Sequence, residues 1–364
     1  MNAILSLMLS GGAISILVAI PFLCVFVLPH VFGIHLEWLF GIVIPYIAVI
    51  IFFVGIVYRV VKWGKCPVPF RIPSTCAQQK SLPWIKYGYA EKLDNPVSTA
   101  GVVGRMILEV LCFRSLFRNT RMEYGTGASI TYKPAKWLWL AAIVFHYSFL
   151  VVILRHLRFF TEPMPFFVPI IEKVDGFFQF FLPAVYQSGF LLGAALTFLL
   201  LRRLLDPKVR YISLPADYFP LFLILTIAGT GILMRYVLKA DVVSIKELTM
   251  GLVAFRPVVP EGISVLFYIH IFLVSVLFAY FPFSKLMHMA GVFLSPTRNL
   301  ANNSRIVRHI NPWNPVVKYH TYEAYEDEFR EKMVGVGLPV EKELPPAEPA
   351  EEPAEEAAAA KNKE

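Results

Sequence analysis

The sequence predicts an all-α membrane protein, a polytopic bundle of about six transmembrane helices, and three observations carry that expectation. Of the 364 residues, 57% are hydrophobic and 16% are charged, whereas soluble domains carry nearer a quarter charged residues. Apolar runs of about 20 residues, enough to cross a hydrocarbon core of about 30 Å, recur along the chain. Lys and Arg cluster between those runs instead of within them.

The runs fall near residues 10–31, 37–61, 136–158, 176–201, 218–238 and 263–287. The apolar start has no basic n-region and no small-residue cleavage site, so it reads as a retained span. Spans one and two form an N-terminal hairpin, residues 1–61. Residues 62–135 are a basic insert with Lys62, Lys65, Arg71, Lys80, Lys86, Lys92, Arg105, Arg114, Arg118, Arg121 and Lys133. The positive-inside rule places it in the cytoplasm. The same side then receives Arg202, Arg203, Lys208 and Arg210 after span four, and Lys285, Arg298, Arg305 and Arg308 after span six. Both termini are therefore expected in the cytoplasm, with His30 to Glu37, Arg158 to Asp175 and Lys239 to Glu261 outside. In residues 97–118, Arg105, Glu109, Arg114 and Arg118 interrupt the apolar positions, which fits an interfacial amphipathic helix better than a seventh span. Residues 136–290 are the four-helix core, 291–338 a cytoplasmic docking segment, and 339–364 an acidic Pro, Glu and Ala-rich tail with too little apolar surface to fold.

A net charge of +8 laid out in this way suits a cytoplasmic membrane face of the bilayer, not nucleic acid. Cys24, Cys66, Cys76 and Cys112 form neither CxxC nor CxxCH, which removes the usual basis for iron–sulfur ligation and covalent haem attachment. Cys66 and Cys76 lie in the insert, where the reducing compartment argues against a disulfide.

Histidine carries the chemistry. Four of eight lie in or at the ends of spans: His146 and His156 in span three, His270 and His288 in span six. Ionisable side chains in a span are costly, and imidazole is the ordinary axial ligand of haem iron. Two helices bearing two histidines each, at two depths, match two bis-histidine b haems held between spans three and six. Ten residues, about 15 Å of rise, separate the first pair, and eighteen, about 27 Å, the second. Eighteen residues are five whole turns, so His270 and His288 should share a face, whereas His146 and His156 differ by about 80°. Pro282 offers a bend that would reconcile the unequal rises. Because spans three and six run antiparallel, His156 should pair with His270 at an outer haem, and His146 with His288 at an inner one.

With these spacings the chain resembles the respiratory nitrate reductase gamma subunit family of b cytochromes, whose ligand pairs also lie ten and eighteen residues apart. It is more narrowly similar to the membrane cytochrome b subunits (M subunits) of sulfite-reductase-linked, or Dsr, redox complexes and to heterodisulfide reductase cytochrome b. The stretches that carry this are RIPSTCAQQKSLPWIK at 71–86, NPVSTAGVVGRMILEVLCFRSLFRNTR at 95–121 and NPWNPVVKYHTYEAYEDEFREKM at 311–333. The resemblance implies haem ligation by His146, His156, His270 and His288, and menaquinone as substrate. It further implies a cytoplasmic iron–sulfur partner of heterodisulfide-reductase type, other membrane and cytochrome c subunits, the cell inner membrane, and a role as the quinol-oxidising part of a sulfur-metabolising respiratory complex. The chain departs in having six spans where the nitrate reductase subunit has five, so that protein's quinone site does not transfer by position.

Weaker signals remain two-sided. Arg155, Arg158, Arg235 and Lys239 are candidates for quinone or haem propionates, or are cations snorkelling to the interface. Tyr186, Gln187 and Asp175 are quinone contacts or interhelical polar glue, and Gly189 and Gly193 a GxxxG that admits a helix or a flat ring. Residues 321–333 form a helix that docks a partner or is simply solvated. The rival functions are a proton-coupled transporter with a histidine relay, and a structural anchor of a redox complex. Against a relay, no inverted repeat is visible and no Asp or Glu lies mid-span.

Overall fold

A computed structural model describes residues 3–66, 88–117, 121–124, 129–177, 184–303 and 319–343. The stretch 71–86, with Cys76, lies outside the described residues, as do 304–318 and the tail beyond 343. The chain divides into two units, residues 1–313 and 314–364.

Among the described residues of the first unit, six helices are long and apolar enough to cross a membrane: Ala3–Phe32, Leu39–Gly64, Lys136–Phe159, Gln187–Leu205, Pro215–Tyr236 and Val265–Phe283. They are spans one to six. Their neighbours run three–four–five–six–two, and span one packs on spans five and six. The core between them is built from Ile14, Leu192, Leu196, Leu223, Ile224, Ile269, Leu273 and Leu277. Most large apolar side chains of spans one and two point outward, Ile50, Phe53, Val54 and Val57 among them, as lipid-facing helices require. Spans three and six, which carry His146, His156 and His270, do not pack extensively on each other.

Span four starts at Gln187, not near 176. Phe167–Asp175 is a separate short helix that ends at Asp175. The carboxylate of Asp175 is used by span four: it accepts the Ser188 N–H at 2.7 Å and the Ser188 hydroxyl at 2.6 Å. A hydropathy window cannot see this junction, because Phe177 and its neighbours are as apolar as the span.

The amphipathic segment forms the helix Thr99–Cys112, capped by Ser98 accepting from the Gly101 N–H. It is too short to be a span, and two bonds tie its end to span three: Trp139 Nε1 donates to the Cys112 carbonyl at 2.7 Å, and the Tyr147 hydroxyl to Leu111 at 2.9 Å. Arg121–Tyr124 and Ile130–Lys133 pair as an antiparallel two-stranded ribbon within the insert, an element that neither hydropathy nor charge signals.

The second unit is the helix Tyr322–Gly335, capped by Thr321, with a returning strand of chain. Glu326 is 2% exposed and accepts N–H groups of Glu341 and Lys342 at 2.8 and 2.9 Å. Lys342 reaches back to Glu323 at 2.6 Å. Ordered contacts thus run through residue 342 of the stretch expected to be a tail.

Candidate functional site

All four span histidines adopt one posture. His146 Nδ1 donates to the Ala142 carbonyl at 2.7 Å, His156 Nδ1 to Val152 at 2.6 Å, and His288 Nδ1 to Lys285 at 3.0 Å. A carbonyl can only accept, so the proton sits on Nδ1 in each. His270 Nδ1 instead meets Thr230 Oγ1 at 2.8 Å. That hydroxyl donates to the carbonyls of Ile227 and Thr226, at 2.9 and 3.0 Å. A hydroxyl has one proton, so Thr230 accepts from His270 and fixes the same tautomer. Each imidazole is left with Nε2 unprotonated, the state a metal ligand needs, with the opposite nitrogen anchored.

The structure brings His146 and His288 together. The rings of His146 and His288 have centroids 6.0 Å apart and planes at 87°. Two imidazoles bound through Nε2 to one iron, at about 2 Å each, have centroids about 6 Å apart, so the donor set and its spacing fit haem iron. Phe113 and Phe145 pack on His146 at 4.9 and 4.8 Å. Phe113 closes the interfacial helix with φ +50°, so that helix supplies a wall of the site. At the opposite end of the spans, His270 lies within electrostatic reach of His156. The His270 ring passes over Gly231, where a Cβ would stand 3.5 Å from its Cε1.

Span six differs from the expectation at Pro282. The helix does not bend there but stops: Val265–Tyr280 is followed by a tight turn at Phe281–Phe283 and an extended Ser284. A second turn at Lys285–Met287 leads to the short helix His288–Gly291. The five-turn phase between His270 and His288 therefore does not apply, since proline removes a donor and clashes with the preceding turn.

Beside His156 lies a buried polar cluster. Tyr186 is flanked by two guanidinium groups, Arg155 at 3.8 Å and Arg235 at 3.9 Å from its ring centre. Arg155 also pairs with Asp175 at 2.9 Å and donates to Ser188 at 3.1 Å. Arg235 donates to the Ala184 carbonyl at 3.2 Å, and the Tyr186 N–H to the Tyr236 hydroxyl at 2.8 Å. Two cations face one carboxylate, leaving a positive balance. Arg158 is tied to Glu172 at 2.7 Å, while Lys239 is exposed with φ +43° and has no partner among the described residues. Of the GxxxG pair, Gly189 stands 3.9 Å from Ile232 by its Cβ position and Gly193 meets nothing within 4 Å.

Sequence reasoning missed Thr230 and the Tyr186 sandwich. The only signal for Thr230 was its setting between Gly229 and Gly231, small residues that let span five approach a ring.

The profile of the nitrate reductase gamma subunit family matches residues 102–309, a stretch that holds all four histidines and spans three to six. The Hdr-like menaquinol oxidoreductase cytochrome b-like subunit of Archaeoglobus fulgidus is 47% identical over 281 residues, 76% of this chain and 84% of the relative. The subunit of the same name from Archaeoglobus profundus is 44% identical over 276 residues, 75% and 82% of the two chains. The nitrate reductase gamma chain of Bacillus subtilis is 24% identical over 217 residues, covering 57% of this chain and 96% of the relative.

Proposed function

Because the chain belongs to the nitrate reductase gamma subunit family, we propose that it is the di-haem cytochrome b subunit of a membrane oxidoreductase, oxidising menaquinol and passing electrons to a heterodisulfide-reductase-like iron–sulfur partner. The observation that carries this is the shared posture of four histidines, Nδ1 anchored and Nε2 free. His156 and His270 hold an outer haem, and His146 and His288 an inner one. Bound haem iron supplies the one-electron chemistry.

The chain's own residues do the rest. Backbone carbonyls and Thr230 fix ring orientation and tautomer, raising the basicity of each Nε2. Phe113 and Phe145 exclude water from the inner site. The Arg155, Tyr186 and Arg235 cluster, positive in balance and next to His156, is matched to an anionic propionate or a polar quinone headgroup. Lys239 adds a free cation at the same end.

Menaquinol as the reductant is supported by the names of the Archaeoglobus relatives. A place in a Dsr-type complex with cytochrome c and other membrane subunits is supported by the resemblance at 95–121. Charge asymmetry supports a cytoplasmic location for the insert, for both termini and for the partner. Single replacement of each histidine by Ala tests the assignment. Visible difference spectra should show His156→Ala and His270→Ala losing one haem, and His146→Ala and His288→Ala losing the other. Any other grouping overturns the pairing, and a purified chain without haem absorption overturns the function.

A further inference from the structure

His288 stands beyond the break in span six, so something other than helix continuity must hold it 6.0 Å from His146. In lipid, a broken helix releases backbone groups that have no water to bond. At this break the Pro282 carbonyl is taken by Arg59 of span two, whose Nε donates to it at 3.1 Å. One turn earlier on span two, Gly55 lies against the same residue: a Cβ there would fall 2.6 Å from Pro282 Cβ and 2.8 Å from its Cγ. Phe52 meets Phe278 and Phe281 with centroids 5.0 and 5.5 Å apart. Trp63 reaches to 3.8 Å from the Cβ position of Gly291. Phe52, Gly55, Arg59 and Trp63 are spaced by three and four residues, which makes one stripe of a helix. Their contacts run in order from before the break to beyond His288.

We propose that this stripe of span two is a splint for the inner haem site, with Gly55 and Arg59 as positioning residues that fix the Phe281–Ser284 turn and, through it, the His288 ring. Residues 1–101 lie outside the stretch matched to the family, 102–309, so the N-terminal hairpin contributes to a site whose ligands lie wholly in the matched part. The next turn, which leads to His288, is held by Lys285, paired with Asp217 of span five at 2.7 Å. Loss of the splint therefore loosens His288 without unfolding the bundle. The inference rests on His288 being a ligand.

The test is the haem content and spectrum of the full-length chain carrying Arg59→Leu, Arg59→Lys, Gly55→Ala or His288→Ala. Arg59→Leu and Gly55→Ala should lose the inner-haem signal, or shift its ferric electron paramagnetic resonance, with the outer signal unchanged. Arg59→Lys keeps a cationic donor and should restore the spectrum at least in part, which a merely bulky role for residue 59 does not predict. Both haem signals unshifted in Arg59→Leu and Gly55→Ala, with the inner one lost in His288→Ala, would overturn the splint alone. An inner signal retained in His288→Ala overturns the ligand assignment and the splint with it. If Gly55→Ala does not accumulate, the two Arg59 variants decide.

Discussion

Replacing Thr230 by Val removes the acceptor for His270 Nδ1 while keeping the shape of the side chain. Thr230 is 7% exposed and is the side-chain partner of His270 Nδ1 at 2.8 Å, so its loss leaves the ring only the Ile227 carbonyl and costs about 0.5–1.5 kcal/mol. Removing such an outer-shell partner typically weakens metal binding about 10–100-fold. The part that differs between oxidised and reduced states is smaller. The hydrogen bond makes the imidazole a better donor and so favours the ferric form; a net value of about 0.5–1.5 kcal/mol corresponds to about 20–60 mV for one electron. Thr230→Val should therefore raise the outer-haem midpoint by that amount and leave the inner one in place, with Thr230→Ser close to the parent. The assay is a potentiometric titration followed in the visible spectrum of the purified chain. An unchanged outer midpoint, or a shift confined to the inner haem, refutes the reasoning.

Acidified organic solvent should extract all haem from the denatured chain, two per polypeptide, because no CxxCH is present; colour retained on a denaturing gel contradicts this. Asp175→Asn leaves the buried Arg155 without its carboxylate partner, and breaking a buried pair in this way costs about 3–5 kcal/mol, measurable as loss of the outer-haem spectrum at lower temperature. In the second unit, N–H donation from Glu341, together with Lys342 and Arg330, outweighs desolvation and holds the Glu326 carboxyl below its ordinary value of 4.5. A lowered folded-state pKa stabilises the returning chain above pH 4.5 and loses that contribution as pH falls through the folded value. Faster amide exchange at Glu341 and Lys342 in acid, absent in Glu326→Gln, which is already released, is the expected record. Deleting residues 321–364 should weaken co-purification of the iron–sulfur partner; undiminished recovery confines docking to the insert.

The parts of this molecule that were legible in its sequence are those set by solvent. A lipid core demands length and apolarity, so six spans could be counted from composition alone, and charge placement excluded the segment around Arg105 and Glu109 as a seventh. The histidines were legible for the same reason, since an ionisable ring in lipid needs an explanation. What the sequence hid depends on partners distant in the chain. Asp175 reads as the edge of a long apolar run, yet its bonds to Ser188 and Arg155 set where span four begins. Pro282 was visible as a perturbation, but whether a proline bends or stops a helix depends on who accepts or donates at the freed groups, and that is Arg59, 223 positions away. Thr230 looks like any small polar residue in a span until span six places His270 beside it.

These partners also make the two histidine pairs unequal. His270 sits in an unbroken helix, its Nδ1 bound to a side chain of a neighbouring span, so its ring is fixed by interhelical packing. Among the described residues His288 Nδ1 is bonded to Lys285, within its own turn; Lys285 is held from outside by Asp217, and the preceding turn at Pro282 by Arg59. A turn held by long side chains at its rim responds to what binds near that rim more readily than a ring buried between helices does. The rim is the end that carries the basic segments, where the iron–sulfur partner is expected. Partner binding should therefore perturb the midpoint or line shape of the inner haem and not the outer, and addition of a quinone analogue should do the reverse if the Arg155, Tyr186 and Arg235 cluster faces the quinone. Titrating one preparation with each in turn separates the two ends; equal responses of both haems to either ligand would mean that the pairs are mechanically coupled through span six despite its break.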